Sequence, residues 1–248
     1  MNWWLPQQAS TFAGDIDRMF TLILVITGLA FVIVEAGLLW FVIKYRGRPG
    51  RKAYYTHGNV RAEYLWTAVP AVVVVALALM SNNVWVKIKG RNSIPADAYP
   101  VAVTAKQFEW IMRYPGADGR FGRVSPGLVD KEANPVGLDR EDPAALDDIV
   151  VRNALHLPVG RPIVLHLAAE DVIHSFFVPQ FRVKQDIVPG MSGQTVWFEA
   201  TRPGEYEIGC AELCGMGHYK MRGRVFVHTQ EDFDAWVQQQ AAGGETPS

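Results

Sequence analysis

Two long apolar runs open the chain. Met19 to Ile43 covers 25 residues with Glu35 as the only charge, and Tyr64 to Val86 covers 23 residues with none. A helix rises about 1.5 Å per residue and a bilayer's hydrocarbon core is about 30 Å thick, so each run predicts a membrane-spanning helix and the pair predicts an α-hairpin. The first run starts too late, is too long and lacks the basic lead of a cleaved signal sequence. Pro70 falls inside the second span and predicts a local kink. From Tyr99 the pattern shortens to runs rich in β-branched and aromatic residues, bounded by Pro and Gly: YPVAVTA, KQFEWIMRYPG, DIVVRN, PIVLHLAA, DVIHSFFVP, QTVWFEA, GEYEIGC and GRVFVH. Short strands at such close spacing predict an antiparallel sandwich or barrel. Residues 114–150 interrupt them with Gly, Pro and acids and predict an irregular surface excursion. EDFDAWVQQQ predicts a short helix starting near Thr229, followed by a frayed tail. The expected division is therefore residues 1–95, an N-terminal segment with the hairpin, and residues 96–248, an all-β domain.

Charge gives the hairpin a direction. Residues 1–96 carry 10 basic and 4 acidic side chains, whereas residues 97–248 carry 14 basic and 21 acidic ones. Lys44, Arg46, Arg48, Arg51, Lys52 and Arg61 crowd the loop between the spans, so the positive-inside rule puts that loop in the cytoplasm and both ends of the hairpin, with the β domain, on the other side. Trp3, Trp4, Trp40, Trp66 and Trp85 fall near the span ends, where amphipathic rings favour the interface. With 49% hydrophobic and 11% aromatic residues the chain is not disordered, and two cysteines exclude a disulfide-dense scaffold. Its basic residues flank apolar segments rather than striping a folded domain, which excludes a nucleic-acid binder. Glu35, alone in an apolar span, is expected to be protonated, paired or turned toward a partner.

The chemistry concentrates in Cys210-Ala-Glu-Leu-Cys214-Gly-Met-Gly-His218-Tyr-Lys-Met221, with His174 upstream in Asp-Val-Ile-His-Ser-Phe-Phe. Thiolates, imidazoles and a weak thioether together suit copper in an electron-transfer site, whereas structural zinc takes four strong N or S ligands and calcium or magnesium takes oxygen. A single loop can wrap such a centre while a histidine from a distant strand closes it. The alternative for an exported pair of cysteines is a Cys210–Cys214 disulfide, although so short a loop gains little from one. His156 and His166 read as structural, His57 lies in the cytoplasmic loop, and His228 carries no assignment.

At these residues the sequence resembles subunit II of the haem-copper cytochrome c oxidases. The resemblance covers nearly the whole chain: the metal loop, Val-Ile-His174-Ser-Phe, the two-span hairpin, Glu63-Tyr-Leu-Trp66-Thr67 opening the second span, Val183-Lys184-Gln185-Asp186-Ile-Val-Pro189-Gly190, and the aromatic segment from Phe108 to Tyr114. It implies a cupredoxin-like sandwich or Greek-key barrel holding a dinuclear copper centre, CuA. Cys210 and Cys214 would bridge both coppers, His174 with Met221 would complete one, and His218 with the backbone carbonyl of Glu212 the other.

The resemblance further implies that the Glu212 carboxylate binds magnesium or manganese at the interface with the catalytic subunit, and that Glu63 lies at the cytoplasmic mouth of a proton path. A bland interfacial glutamate paired with Arg61 is the rival reading for Glu63. Many relatives carry a tryptophan at the position of Phe108 as the electron port; here the tryptophan is Trp110, and both rings would face the same side of one strand. The implied function is an electron-transfer subunit of a bacterial inner-membrane terminal oxidase. It would accept electrons from a separate cytochrome c, since no Cys-x-x-Cys-His haem attachment follows the loop, and pass them to haem in catalytic subunit I for reduction of dioxygen. A CuA subunit of a nitric oxide reductase and a membrane-tethered copper chaperone are the alternatives that remain open.

Overall fold

The computed structural model describes residues 4–241, so Trp3 and the tail beyond Ala241 lie outside the described residues. The chain forms two compact units: Asp15–Ser93, and Ile94 onward together with the stretch up to Gly14.

The first unit is the helical pair. α1 spans Ala13–Lys44 and α2 spans Val60–Lys89, and both are long and apolar enough to cross a membrane. At 32 and 30 residues they reach about 48 and 45 Å, more than a bilayer core requires. Their apolar side chains point outward: Val42 is 70% exposed and Leu79 65%, and α2 buries no residue at all. Such a surface is stable only in lipid or against another protein. Asn59 caps α2 by accepting from the Ala62 N–H at 3.2 Å. Asp15, in the first turn of α1, pairs with Lys87 in the last turn of α2 and with Arg18, which fixes the two helices as an antiparallel hairpin. Pro70 sits within one uninterrupted helix. Lys44 lies 3.9 Å over the Trp40 ring, where an aromatic anchor meets the basic loop.

The second unit is a sandwich of two five-stranded sheets. In chain order the strands are β1 (Tyr99–Lys106), β2 (Glu109–Tyr114), β3 (Ile149–Arg152), β4 (Ala154–Pro158), β5 (Pro162–Ala169), β6 (His174–Val178), β7 (Val183–Ile187), β8 (Gln194–Glu199), β9 (Gly204–Cys210) and β10 (Arg222–His228). One sheet runs β3-β2-β1-β5-β8 and the other β4-β10-β9-β6-β7. Alternation drives the packing: in β8 every second residue is buried, and Val101, Val103, Ile163, Leu165, Phe176, Phe198, Ile208 and Val225 fill the space between sheets. The expectation of purely antiparallel pairing is corrected. β1 pairs with β5 and β4 with β10 in parallel. Long connections join each of these pairs, which permits parallel pairing, and an alternating pattern reads the same in either direction.

The stretch before α1, grouped by the pattern with the hairpin, joins the sandwich instead. The Ala9 N–H donates to the Gln180 carbonyl at 3.0 Å, Thr11 N–H to Glu199 at 3.1 Å, and Thr201 N–H back to Ala9 at 2.9 Å. Phe12 then packs edge-on against Trp197, ring centres 4.6 Å apart. The acidic excursion is irregular as expected, with short 3₁₀ turns at Pro126–Leu128 and Pro143–Ala145 and a buried Arg113–Asp148 ion pair at 3.0 Å.

The C-terminal helix, α3 (Gln230–Ala241), is capped by Thr229, whose hydroxyl accepts from the Asp232 N–H at 3.1 Å. It buries Phe233 and Trp236 against the sandwich, and the Trp236 ring stacks on His156 at 4.3 Å. His156 Nδ1 meets His228 Nε2 at 2.9 Å, so the two rings share one proton. Burial, with His228 adding to it, pushes His156 down to about 4, and burial lowers His228 as well. Unfolding restores the ordinary value near 6.5, so below that pH the unfolded chain binds more protons than the folded one. Stability is therefore full above pH 6.5 and is lost as pH falls toward about 4. A thermal-unfolding series across this window is expected to show a falling midpoint, and His156→Phe to flatten that fall; an equally steep fall in the variant would assign it elsewhere.

Candidate metal centre

Three segments meet at one end of the sandwich. β6 opens with His174, β9 ends with Cys210, and the loop from Ala211 to Met221 returns the chain to β10. The register sets Phe176 opposite Cys210, which brings the start of β6 beside the end of β9. The loop is tied at its base by Cys210 N–H to the Met221 carbonyl at 3.2 Å, and to β6 by Ala211 N–H to the Ser175 carbonyl at 3.0 Å. A 3₁₀ turn at His218–Lys220 aims His218 back inward.

The loop's glycines are structural necessities. Gly215 has φ +130°, where an L side chain is strained. A Cβ on Gly217 would stand 2.4 Å from the Phe108 ring.

The donor atoms converge. Cys210 Sγ and Cys214 Sγ lie 3.8 Å apart. His174 Nδ1 is 3.9 Å from Cys210 Sγ, and the Glu212 carbonyl 3.2 Å from it. His218 Nδ1 is 3.6 Å, and Met221 Sδ 3.7 Å, from Cys214 Sγ. The sulfurs are both free, and a disulfide would need them about 2.05 Å apart, so the disulfide alternative is not what the fold builds. Nitrogen, carbonyl and thioether donors lie beyond both sulfurs rather than beyond one. The set fits copper, and it has donors enough for more than one ion.

Burial pushes the Cys214 thiol up to about 11, and the neighbouring Cys210 adds to this, so without metal Cys214 keeps its proton at neutral pH. His174 is fully buried, with its Nε2 2.8 Å from Asp171 Oδ1. A carboxylate there holds the proton on Nε2 and leaves the Nδ1 lone pair facing Cys210. Desolvation works to raise Asp171, but hydrogen bonds from the Gln107 N–H, His174 and the Val172 N–H outweigh it and hold the carboxyl below its usual range.

The two aromatic candidates separate, contrary to the expectation that they share one strand face. Phe108 lies in the two-residue turn between β1 and β2, its ring half-buried against Gly215 and Gly217 of the loop. Trp110 is 0% exposed in the core, 6.4 Å between ring centres from His174 and 5.8 Å from Phe176, and has no surface to offer a docking protein. The Glu212 side chain is exposed while its carbonyl faces the Cys210 sulfur. Glu63 is exposed in the first turn of α2, and among the described residues no ion pair joins it to Arg61. Glu35 is exposed on α1.

Sequence reading passed over Gln107, Asn153 and Asp171. Asn153, at φ +55°, carries the chain from one sheet to the other and bonds Trp110 on one side and Arg224 on the other. An Asp placed three residues before a buried His was the available signal for Asp171.

Comparison with known proteins agrees across both units. Residues 101–227 match the family profile "Cytochrome C oxidase subunit II, periplasmic domain", and residues 1–84 match "Cytochrome C oxidase subunit II, transmembrane domain". The chain is 38% identical over 239 residues to an "Alternative cytochrome c oxidase subunit 2" of Bradyrhizobium diazoefficiens, covering 96% of this chain and 84% of that one. It is 34% identical to a "Cytochrome c oxidase subunit 2" of Thermostichus vulcanus, covering 98% and 80%. Among solved structures, the periplasmic domain of subunit II of cytochrome oxidase (CoxB) of Bradyrhizobium japonicum aligns with 61% of this chain and 99% of its own, at 27% identity and a TM-score of 0.44. With one profile on the sandwich, another on the hairpin and relatives matched over nearly its whole length, the chain belongs to the cytochrome c oxidase subunit II family.

Proposed function

We propose that the chain is the electron-transfer subunit of a respiratory terminal oxidase, an oxidoreductase complex, and that its cluster holds the dinuclear CuA centre. The observation that carries this reading is the pair of free thiols 3.8 Å apart with further donors beyond each. Cys210 and Cys214 would hold both coppers, with His174 and Met221 as further ligands of one and His218 and the Glu212 carbonyl of the other. Bound there, copper supplies single-electron chemistry in which charge shared over two metals changes each bond little. The chain's part is to hold the ligands in place. Trp110 and Phe176 wall the site from the core, Phe108 covers the loop, and Asp171 fixes the His174 tautomer.

Electrons come from a cytochrome c. The acidic excess of residues 97–248, 21 acids against 14 bases, steers a basic donor toward the domain. They pass to haem in catalytic subunit I, at whose interface the Glu212 carboxylate contributes to a magnesium or manganese site. The basic loop lies in the cytoplasm and the sandwich in the periplasm, with Asp15–Ser93 as the membrane domain and the sandwich, joined by the stretch up to Gly14, as the copper-bearing one. Glu63 stands at the mouth of a proton path. Glu63→Ala is expected to slow oxidase turnover several-fold with the copper spectrum unchanged, and parent-like turnover would remove that role.

Electron paramagnetic resonance with copper quantified on the copper-loaded full chain tests the central reading. One unpaired electron spread equally over two coppers is the expected result. A single-copper pattern would overturn it.

A further inference from the structure

The turn between β1 and β2 grips both halves of the cluster at once. Asp171 Oδ1 meets His174 Nε2 at 2.8 Å and accepts from the Val172 N–H at 2.7 Å, while Oδ2 accepts from the backbone N–H of Gln107 at 2.8 Å. The side chain of that same Gln107 reaches the other way, and its Nε2 donates to the Cys214 carbonyl at 2.6 Å. The next residue, Phe108, lays its ring on Gly215 and Gly217. His174 and Cys214 belong to different segments, β6 and the β9–β10 loop, and Gln107 touches the support of one and the backbone of the other. Neither Gln107 nor Asp171 supplies a donor atom to the cluster.

We infer that Gln107 and Asp171 form a clasp of positioning residues that locks the His174 imidazole and the Cys214 loop into one geometry, and so sets how tightly copper is held and how its unpaired electron is distributed. The inference rests on the copper reading above. A lone hydrogen bond capping a surface turn would affect folding and nothing else. A bond that couples two ligand segments transmits any loosening of one to the other, because the outer partners of metal ligands govern affinity about 10- to 100-fold.

The test uses the copper-loaded full chain and two substitutions that keep shape. Gln107→Met preserves length and removes the amide donor. Asp171→Asn leaves one acceptor oxygen where two carboxylate oxygens now serve three N–H groups, so an amide N–H₂ must face either His174 or Gln107. Each variant is expected to lose copper to a chelator at about 10- to 100-fold lower chelator concentration, with altered hyperfine splitting and unchanged thermal unfolding of the metal-free chain. The double variant is expected to be no worse than the weaker single one, since both cut the same device. Parent-like retention and splitting in both variants overturns the clasp. So does a loss of metal-free stability with parent-like splitting, which marks a purely structural role. Should one variant fail to fold, the other decides by the same comparison. A parent chain that binds a single copper would sink the dinuclear reading, while the retention comparison on that copper still judges the clasp.

Discussion

Cys214→Ser is expected to yield a folded chain that no longer shares an electron over two metals and whose oxidase complex accepts electrons from cytochrome c at background rate. Cys214 is the hub of the cluster, with Cys210 Sγ at 3.8 Å, His218 Nδ1 at 3.6 Å and Met221 Sδ at 3.7 Å. A serine fits the same space, so the fold should survive. Its hydroxyl stays protonated and is a hard oxygen donor, whereas copper in such a site selects thiolate, imidazole and thioether. Copper quantification and paramagnetic resonance read the loss of the shared centre, steady-state oxygen uptake reads the loss of electron entry, and circular dichroism reads the fold. Cys210→Ser is expected to match it, because in the proposed centre both thiolates would hold both metals, even though Cys210 is the more exposed of the pair. Two coppers with a parent-like signal in either variant would falsify the bridge.

Trp110→Ala carries the largest expected cost in stability. The ring is fully buried, edge-on to both Phe176 and His174, and emptying such a site costs about 3–5 kcal/mol. Denaturant unfolding followed by circular dichroism should show the midpoint falling with an unchanged slope, and Trp110→Phe should recover most of the loss. Phe108→Ala should do the reverse. Its ring covers the loop from a surface turn, so stability should change little while the rate of reduction by cytochrome c falls. If Trp110→Phe slows reduction with no loss of stability, the buried ring rather than Phe108 carries the electron.

The hairpin, most strands and the donor set were legible because each leaves a pattern in the chain: apolar length, alternation, or an unusual sequence of Cys, His and Met. What escaped depends on contacts between distant residues. KQFEWIMRY reads as one strand, yet the chain reverses at Gln107 and Phe108, and only that reversal parts Phe108 from Trp110. Strand β4, five residues ending in Pro158, is too short and too close behind β3 to stand out until Asn153 is seen to switch sheets. Parallel pairing of β1 with β5 and of β4 with β10 has no local signature. The Gln107 and Asp171 contacts lie 107 and 64 residues apart in the chain and could not be read from spacing.

The position of β10 inside its sheet has a consequence for biosynthesis. It is the latest strand in chain order, yet it lies between β4 and β9, and the metal loop ends where it begins. While the chain is still emerging, β4 has no sheet partner and the loop has no far anchor, so Met221 and His218 cannot take their places. The donor set therefore closes only after residues through about 228 have been made and β10 has slotted home. Copper delivered earlier would meet two loose thiols rather than a site. In the proposed centre, metal insertion would thereby follow the placing of β10, an order set by the topology of the sheet itself.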